Sequence, residues 1–129
     1  MADIPQNIQV VNVKVKYIRP EFQNLREWMQ HPENLYIGRR GVVFIDGKRF
    51  PPADSPYHNP YKIIRDGDRQ EVIQKYAEYL ESHPELIEQA RRDFVGKKRL
   101  GCWCKTDGLA EFINYICHGD VLLAKVREN

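Results

Sequence analysis

Nothing in this sequence is apolar for long. Its longest uninterrupted runs, such as "GVVFI" and "VLLA", fall far short of the roughly 18 residues that a membrane-spanning helix needs. A soluble chain without a membrane partner is expected. A basic start leading into an apolar run and a small-residue cleavage site is also missing around "MADIPQNIQV". Cysteine is scarce and odd in number, with three residues in 129, which argues against a disulfide framework and for an intracellular protein with reduced thiols. Charge of one sign is not in excess either. Twenty Lys and Arg stand against 18 Asp and Glu, a formal net charge of +2, so bulk charge does not mark a nucleic-acid binder and only its distribution could. Walker loops, Rossmann fingerprints and nucleophile elbows are all missing, as are internal repeats and low-complexity tracts. No motif therefore names a reaction, and whether the chain is an enzyme stays open.

What is present suits one compact domain spanning residues 1–129, because 42% hydrophobic and 11% aromatic content is enough for a single core. Alternation of Val11, Val13, Val15 and Tyr17 with Asn12, Lys14 and Lys16 predicts a strand covered on one face. "EFQNLREWMQ" sets Phe22, Leu25, Trp28 and Met29 on one side of a helical turn, and "NLYIGRR" reads as a second strand. In "GVVFIDGKRF" the Asp46-Gly47 pair favours the positive φ values of a type I′ turn, which predicts a hairpin. "PPADSPYHNP" holds four of the eight prolines and predicts an irregular loop.

Helices come late. Asp68 with Glu71 predicts a capping box, followed by Val72, Ile73, Tyr76, Ala77 and Leu80 at helical spacing. Ser82 with Glu85 predicts the cap of the next helix, whose apolar face is Leu86, Ile87, Ala90 and Phe94 and which Gly96 ends. "KKRLGCWC" reads as a strand, "GLAEFINYI" as a short helix and "GDVLLAKVRE" as a last helix opened by Gly119-Asp120. This order predicts an α/β fold, a mixed β-sheet flanked by helices in Rossmann-like layers.

The stretch "LGCWCKTDGLAEFINYICHGDVLL" packs together all three cysteines, a tryptophan and a histidine. Three thiols and an imidazole are a zinc-compatible set. Cys-x-Cys is nevertheless tighter than the usual zinc knuckle, and adjacent Cys117 and His118 point apart at a helix start, so neither a metal nor another cofactor is expected. Cys102 and Cys104 alternate with Trp103 along a strand, where at least one packs as a small hydrophobe. Cys117, just before a helix, would feel its partial positive charge and carry a lowered pKa. With His118 as base and Asp120 nearby it forms a candidate catalytic group, and with Cys104 a candidate disulfide. Asp120 also has the simpler role of stabilising its own helix start. A further reading is an anion site: Gly119 would admit a ligand to the helix start, His118 would flank it, and the strand would deliver Cys104 and Lys105 at its carboxyl end.

The combination of "VVNVKVKY", "YIGRR", "SPYHNPYKI", "RQEVIQKYAEYL", "GKKRLGCWC" and "CHGDVLL" resembles the family called domain of unknown function 4326, small α/β proteins of bacteria, phages and large DNA viruses. The resemblance spans nearly the whole chain. Its most specific part is Cys102-Trp103-Cys104 followed by Cys117-His118-Gly119-Asp120-Val121-Leu122. It implies a fold and a site rather than a reaction, and by its motif positions Arg39, Arg40 and Asn59 join the ligand-binding wall. It also implies a host cell or virion as the setting if the chain is viral. The chain departs from the family pattern in the twelve residues "KTDGLAEFINYI" between Cys104 and Cys117, and in the hairpin-like segment from Gly41 to His58.

Charge distribution adds a second thread. "RRDFVGKKR" places Arg91, Arg92, Lys97, Lys98 and Arg99 within nine residues, and with Lys14, Lys16 and Arg19 they could form a basic face for phosphates. The bland reading is a solvated helix end. Beside the resemblance, the expectation is a phosphate-bearing partner, with DNA the first choice and a small nucleotide the second. Two other classes stay open. One is a nucleotide-acting transferase or hydrolase using Cys117, His118 and Asp120; the other is a viral or phage interaction module with Phe50 to Tyr61 as its contact patch.

Overall fold

The computed structural model describes residues 7–62, 64–103 and 117–128. Along them run β1 (Gln9–Asn12), α1 (Val15–Ile18), α2 (Leu25–Gln30), β2 (Asn34–Tyr36), β3 (Val43–Ile45), β4 (Lys48–Phe50), α3 (Arg69–Glu81), α4 (Pro84–Asp93), β5 (Arg99–Cys102) and α5 (His118–Arg127). β1, β5 and β2 form a parallel sheet in that order, with Leu100 aligned to Val10 on one side and to Leu35 on the other. β3 and β4 pair antiparallel as a separate hairpin. Its turn residues Asp46 and Gly47 have φ of 54° and 77°, as the Asp-Gly pair demands.

Helices cover both faces of the sheet, and alternation along each strand decides which residue meets which helix. Val10, Leu35 and Leu100 face Tyr76, Leu80, Phe94 and Leu122 from α3, α5 and the end of α4. Val11 and Tyr36 face the other way, with Val13, onto Ile18, Leu25 and Trp28 of α1 and α2. The chain is thus an α/β protein, with parallel and antiparallel pairing segregated into two sheets. Gly101 explains how Trp28 comes so close: a Cβ there would lie 2.5 Å from Val13 Cγ1 and would collide with the Trp28 ring. Both of those residues are buried.

The first strand is shorter than its alternation predicts. Its partner β5 ends at Cys102, whose carbonyl accepts a last bond from Val13 N–H at 3.2 Å. Asn12 Oδ1 then accepts from Lys14 N–H at 2.9 Å, and the chain turns into α1. Lys14, Lys16 and Arg19 consequently sit on and around a short helix, not on a strand. α3 starts as expected, with Asp68 and Glu71 accepting from each other's backbone N–H at 2.9 and 3.0 Å. α4 does not: its N-cap is His83, because Pro84 supplies the fixed φ of a first helical residue. Ser82 instead closes α3, its hydroxyl donating to Glu78 O at 3.1 Å. The short helix expected over "GLAEFINYI" lies outside the described residues.

The proline-rich segment is irregular, as its composition requires, but it folds inward. Tyr57 is 1% exposed; its hydroxyl donates to Asp93, and its carbonyl accepts from Tyr76 Oη at 2.7 Å. Ser55 and Asn59 are buried as well. The aromatic centre of the stretch from Phe50 to Tyr61 is thus sunk against α3 and α4, while Pro52, Ala53, Asp54 and Pro56 are exposed. Among the described residues, no helix is long and apolar enough to cross a membrane.

Candidate functional site

β2 continues past its last paired residue through Ile37, whose N–H donates to Gly101 O at 2.9 Å, and delivers Gly38, Arg39 and Arg40 at the carboxyl end of the sheet. Tyr36 Oη reaches over this turn to donate to Arg39 O at 2.7 Å, and burial pushes that hydroxyl's pKa upward. Arg39 grips the proline-rich segment. Its Nε and Nη2 donate to Asn59 O at 3.1 and 2.7 Å, and Nη2 also to Tyr61 O at 2.7 Å. Nη1 makes no hydrogen bond among the described residues. Burial first, and Arg65 second, lower the pKa of this guanidinium, which marks a place where positive charge has been crowded together.

Arg39 is the shared wall of two cavities. The first, about 280 Å³, is lined by Arg39, Arg40, Lys62 and Arg65 together with Asp54, His58 and Pro60. Arg65 is tied to Asp66 at 2.8 Å and to Pro60 O at 3.0 Å. Asp54 accepts from the Arg40 backbone N–H at 2.8 Å, the main reason its carboxyl pKa is lowered. The Arg40 guanidinium and the Lys62 ammonium make neither a hydrogen bond nor an ion pair among the described residues. The second cavity, about 260 Å³, lies between Gly38, Val42, Trp103 and His118, with Asn59 and Arg69 at its polar side. The Trp103 indole N–H is buried without a well-formed hydrogen bond, although it lies close enough to the Tyr36 hydroxyl to lower that group's pKa.

Of the residues expected to bind a ligand, Arg39, Arg40, Asn59 and His118 converge here, whereas Cys104 and Lys105 lie outside the described residues. Asn59 works as a turn: its Oδ1 accepts from Tyr61 N–H at 2.9 Å and its Nδ2 donates to Val72 O at 3.3 Å. His118 is 5% exposed. Its Nε2 donates to Ile37 O at 2.8 Å, and burial brings its pKa down to about 4 against that bond's opposing effect, so near neutral pH it offers an anion no charge. Gly119 admits no ligand. A Cβ there would meet Ile37 Cδ1 at 2.7 Å and Val10 Cγ1 at 2.9 Å, so its role is to press α5 onto the sheet. Gly119→Ala should therefore cost about 1 kcal/mol, overpacking being partly offset by alanine's helix propensity; urea unfolding would measure it.

The helix start is satisfied from within. Gly119 N–H donates to Cys117 Sγ at 3.4 Å, Asp120 N–H to Cys117 O at 2.9 Å, and Asp120 Oδ2 accepts from Cys117 N–H at 2.8 Å. Asp120 is thus a capping residue. Cys117 is 1% exposed and disulfide-bonded, which leaves it no thiolate in this state. Cys102 is a free, buried cysteine. Among the described residues no cluster of His, Cys, Asp or Glu could hold a metal ion.

The basic residues expected to form one face are dispersed. Lys97, Lys98 and Arg99 lead into the amino end of β5, while Lys14, Lys16 and Arg19 follow the carboxyl end of β1, so the two groups lie at opposite ends of the parallel strands. Several already have intramolecular duties. Arg91 donates to Val126 O and Glu128 O, Lys97 to Pro32 O and Arg19 to Gln23 O, while Lys98 pairs with Glu33 at 3.2 Å. Arg92 is exposed at the end of α4. Sequence reasoning passed over Lys62, Arg65, Val42 and Arg69; for the first two, the available signal was a pair of cations directly after the Asn59-Pro60 turn.

Over 90 residues the chain is 31% identical to an uncharacterized protein, R718, of Acanthamoeba polyphaga mimivirus, an overlap of 70% of this chain and 64% of that relative's length. No solved structure matches. Residues 21–128, which hold the cationic turn, the proline-rich segment and the Cys-His helix start, match the family described as Domain of unknown function (DUF4326), and the chain belongs to that family.

Proposed function

We propose that this protein binds a phosphate-bearing ligand in the cationic cavity at the carboxyl end of its sheet. One observation carries the reading: four cationic side chains line that cavity with one carboxylate, Asp54, a second carboxylate, Asp66, pairs with Arg65, and the head groups of Arg40 and Lys62 make no hydrogen bond or ion pair among the described residues. Crowded cations raise the energy of the folded chain unless a counter-charge arrives. Arginine forks suit phosphate oxygens, and lysine adds a point charge. In open α/β sheets ligands gather at the carboxyl ends of strands. The arrangement supports a small ligand over duplex DNA, because the cations of 91–99 belong largely to the other end of the strands and to bonds within the chain.

The test is a calorimetric titration with inorganic tripolyphosphate across a salt series. Arg40→Ala and Lys62→Ala should each weaken binding about tenfold, roughly 1.4 kcal/mol, while leaving the unfolding midpoint unchanged, since neither head group supports the fold. Lys97→Ala combined with Lys98→Ala should leave binding as it was. If tripolyphosphate does not bind at low salt, where attraction is strongest, the proposal is wrong.

A further inference from the structure

We infer that the ligand is a nucleotide, its phosphates in the cationic cavity and its ring in the neighbouring cavity walled by Val42 and Trp103, with Arg39 between the two. The inference rests on the phosphate reading above and adds the second half of the ligand. Small-ligand sites run from roughly 300 to 1,000 Å³. At about 280 and 260 Å³, each cavity alone falls just below that range, whereas the two taken as one site fall within it. They share a single side chain, and Nη1 of that side chain makes no hydrogen bond among the described residues. A molecule lying across both would meet Arg39 midway.

The two halves differ in chemistry as a nucleotide's do. The first is cationic and polar. The second offers Val42, which is 36% exposed, the Trp103 indole and the bare backbone of Gly38, with Arg69, Asn59 and His118 on its polar side and Arg39 shared with the first. Flat heterocycles bind such surfaces by stacking and apolar contact. Much of the polar lining of this half is already bonded within the protein: Asn59 through both ends of its amide, and His118 through Nε2 to Ile37 O. Besides the Trp103 indole N–H, few groups are left to read the edge of a base, so the cavity should hold the ring mainly by shape, and purine and pyrimidine nucleotides should bind with similar strength.

Calorimetry with three phosphate-bearing probes, inorganic tripolyphosphate, adenosine triphosphate and uridine triphosphate, and with adenosine as a fourth, phosphate-free ligand, all without divalent cations, separates this inference from the one beneath it. Charge alone favours tripolyphosphate, the most highly charged of them. If the ring is held, both nucleotides should bind roughly tenfold more tightly than tripolyphosphate and within a few-fold of each other. Val42→Asn, a neutral change at a half-exposed position that should fold normally, should cut the nucleotide advantage several-fold and leave tripolyphosphate affinity alone. Trp103→Leu should do the same. Equal affinity for all three probes would overturn the ring cavity and leave the phosphate site standing. Adenosine binding as tightly as its triphosphate would overturn the phosphate site, and binding of none would overturn both.

Discussion

Acidification from about pH 7 to pH 4 should remove roughly 3 kcal/mol of folding stability through His118 alone. The folded pKa of about 4 lies below the ordinary value of 6.5, because a buried imidazole resists charging more strongly than its bond to Ile37 O can offset. Between those values the unfolded chain binds a proton that the folded chain refuses. The contribution is therefore complete above the unfolded pKa, shrinks as pH falls below it, and is gone once pH has passed through the folded pKa. Urea unfolding across this window should show stability rising with pH in the wild type, with a markedly flatter profile in His118→Gln. Parallel profiles in the two proteins would assign the effect to another group.

Gly101→Ala should be comparably damaging, at about 2–3 kcal/mol, near the top of the usual range for overpacking. The new methyl group would enter the space held by Trp28 and Val13. Trp28 is 2% exposed and Val13 1%, so neither can swing toward solvent, and the β-branched valine has little rotamer freedom. The strand cannot back away either, since β1 and β2 bond to both of its edges. A smaller ring opposite should relieve the clash. The double variant Gly101→Ala, Trp28→Phe is expected to be more stable than the two single costs would give, a coupling that a double-mutant cycle would read directly. Strict additivity would mean that the methyl group finds room elsewhere.

Local chemistry was legible wherever neighbours in sequence settle the geometry. Asp68 and Glu71 cap α3, Asp46 and Gly47 turn the hairpin, and Asp120 caps its own helix because each of these arrangements closes within a few residues. The end of β1 was not legible, because a strand persists only while a partner runs beside it and β5 stops at Cys102. Gly119 was misleading for a related reason: a glycine at a helix start serves either a ligand or close packing, and only the positions of Val10 and Ile37 decide. The candidate site was half visible. Arg39 and Arg40 follow a strand, where ligand-binding residues are sought, but Lys62 and Arg65 arrive on an irregular segment whose path is dictated by Asn59, Tyr57 and the helices beneath them.

The strand order β1-β5-β2 also sets a timetable. The first two strands of the parallel sheet to leave the ribosome are its edges, and they do not bond to each other. The centre is supplied only when Arg99 to Cys102 emerge, so a nascent chain shorter than that holds two unpaired ribbons and an incomplete core. Pairing partners some 90 residues apart in sequence, such as Gln9 and Arg99, make for slow, late closure, and until then the exposed edges invite contact with other chains. Synthesis halted before residue 99 should yield a protease-sensitive, aggregation-prone product, whereas chains released with the central strand and α5 both in place should resist digestion.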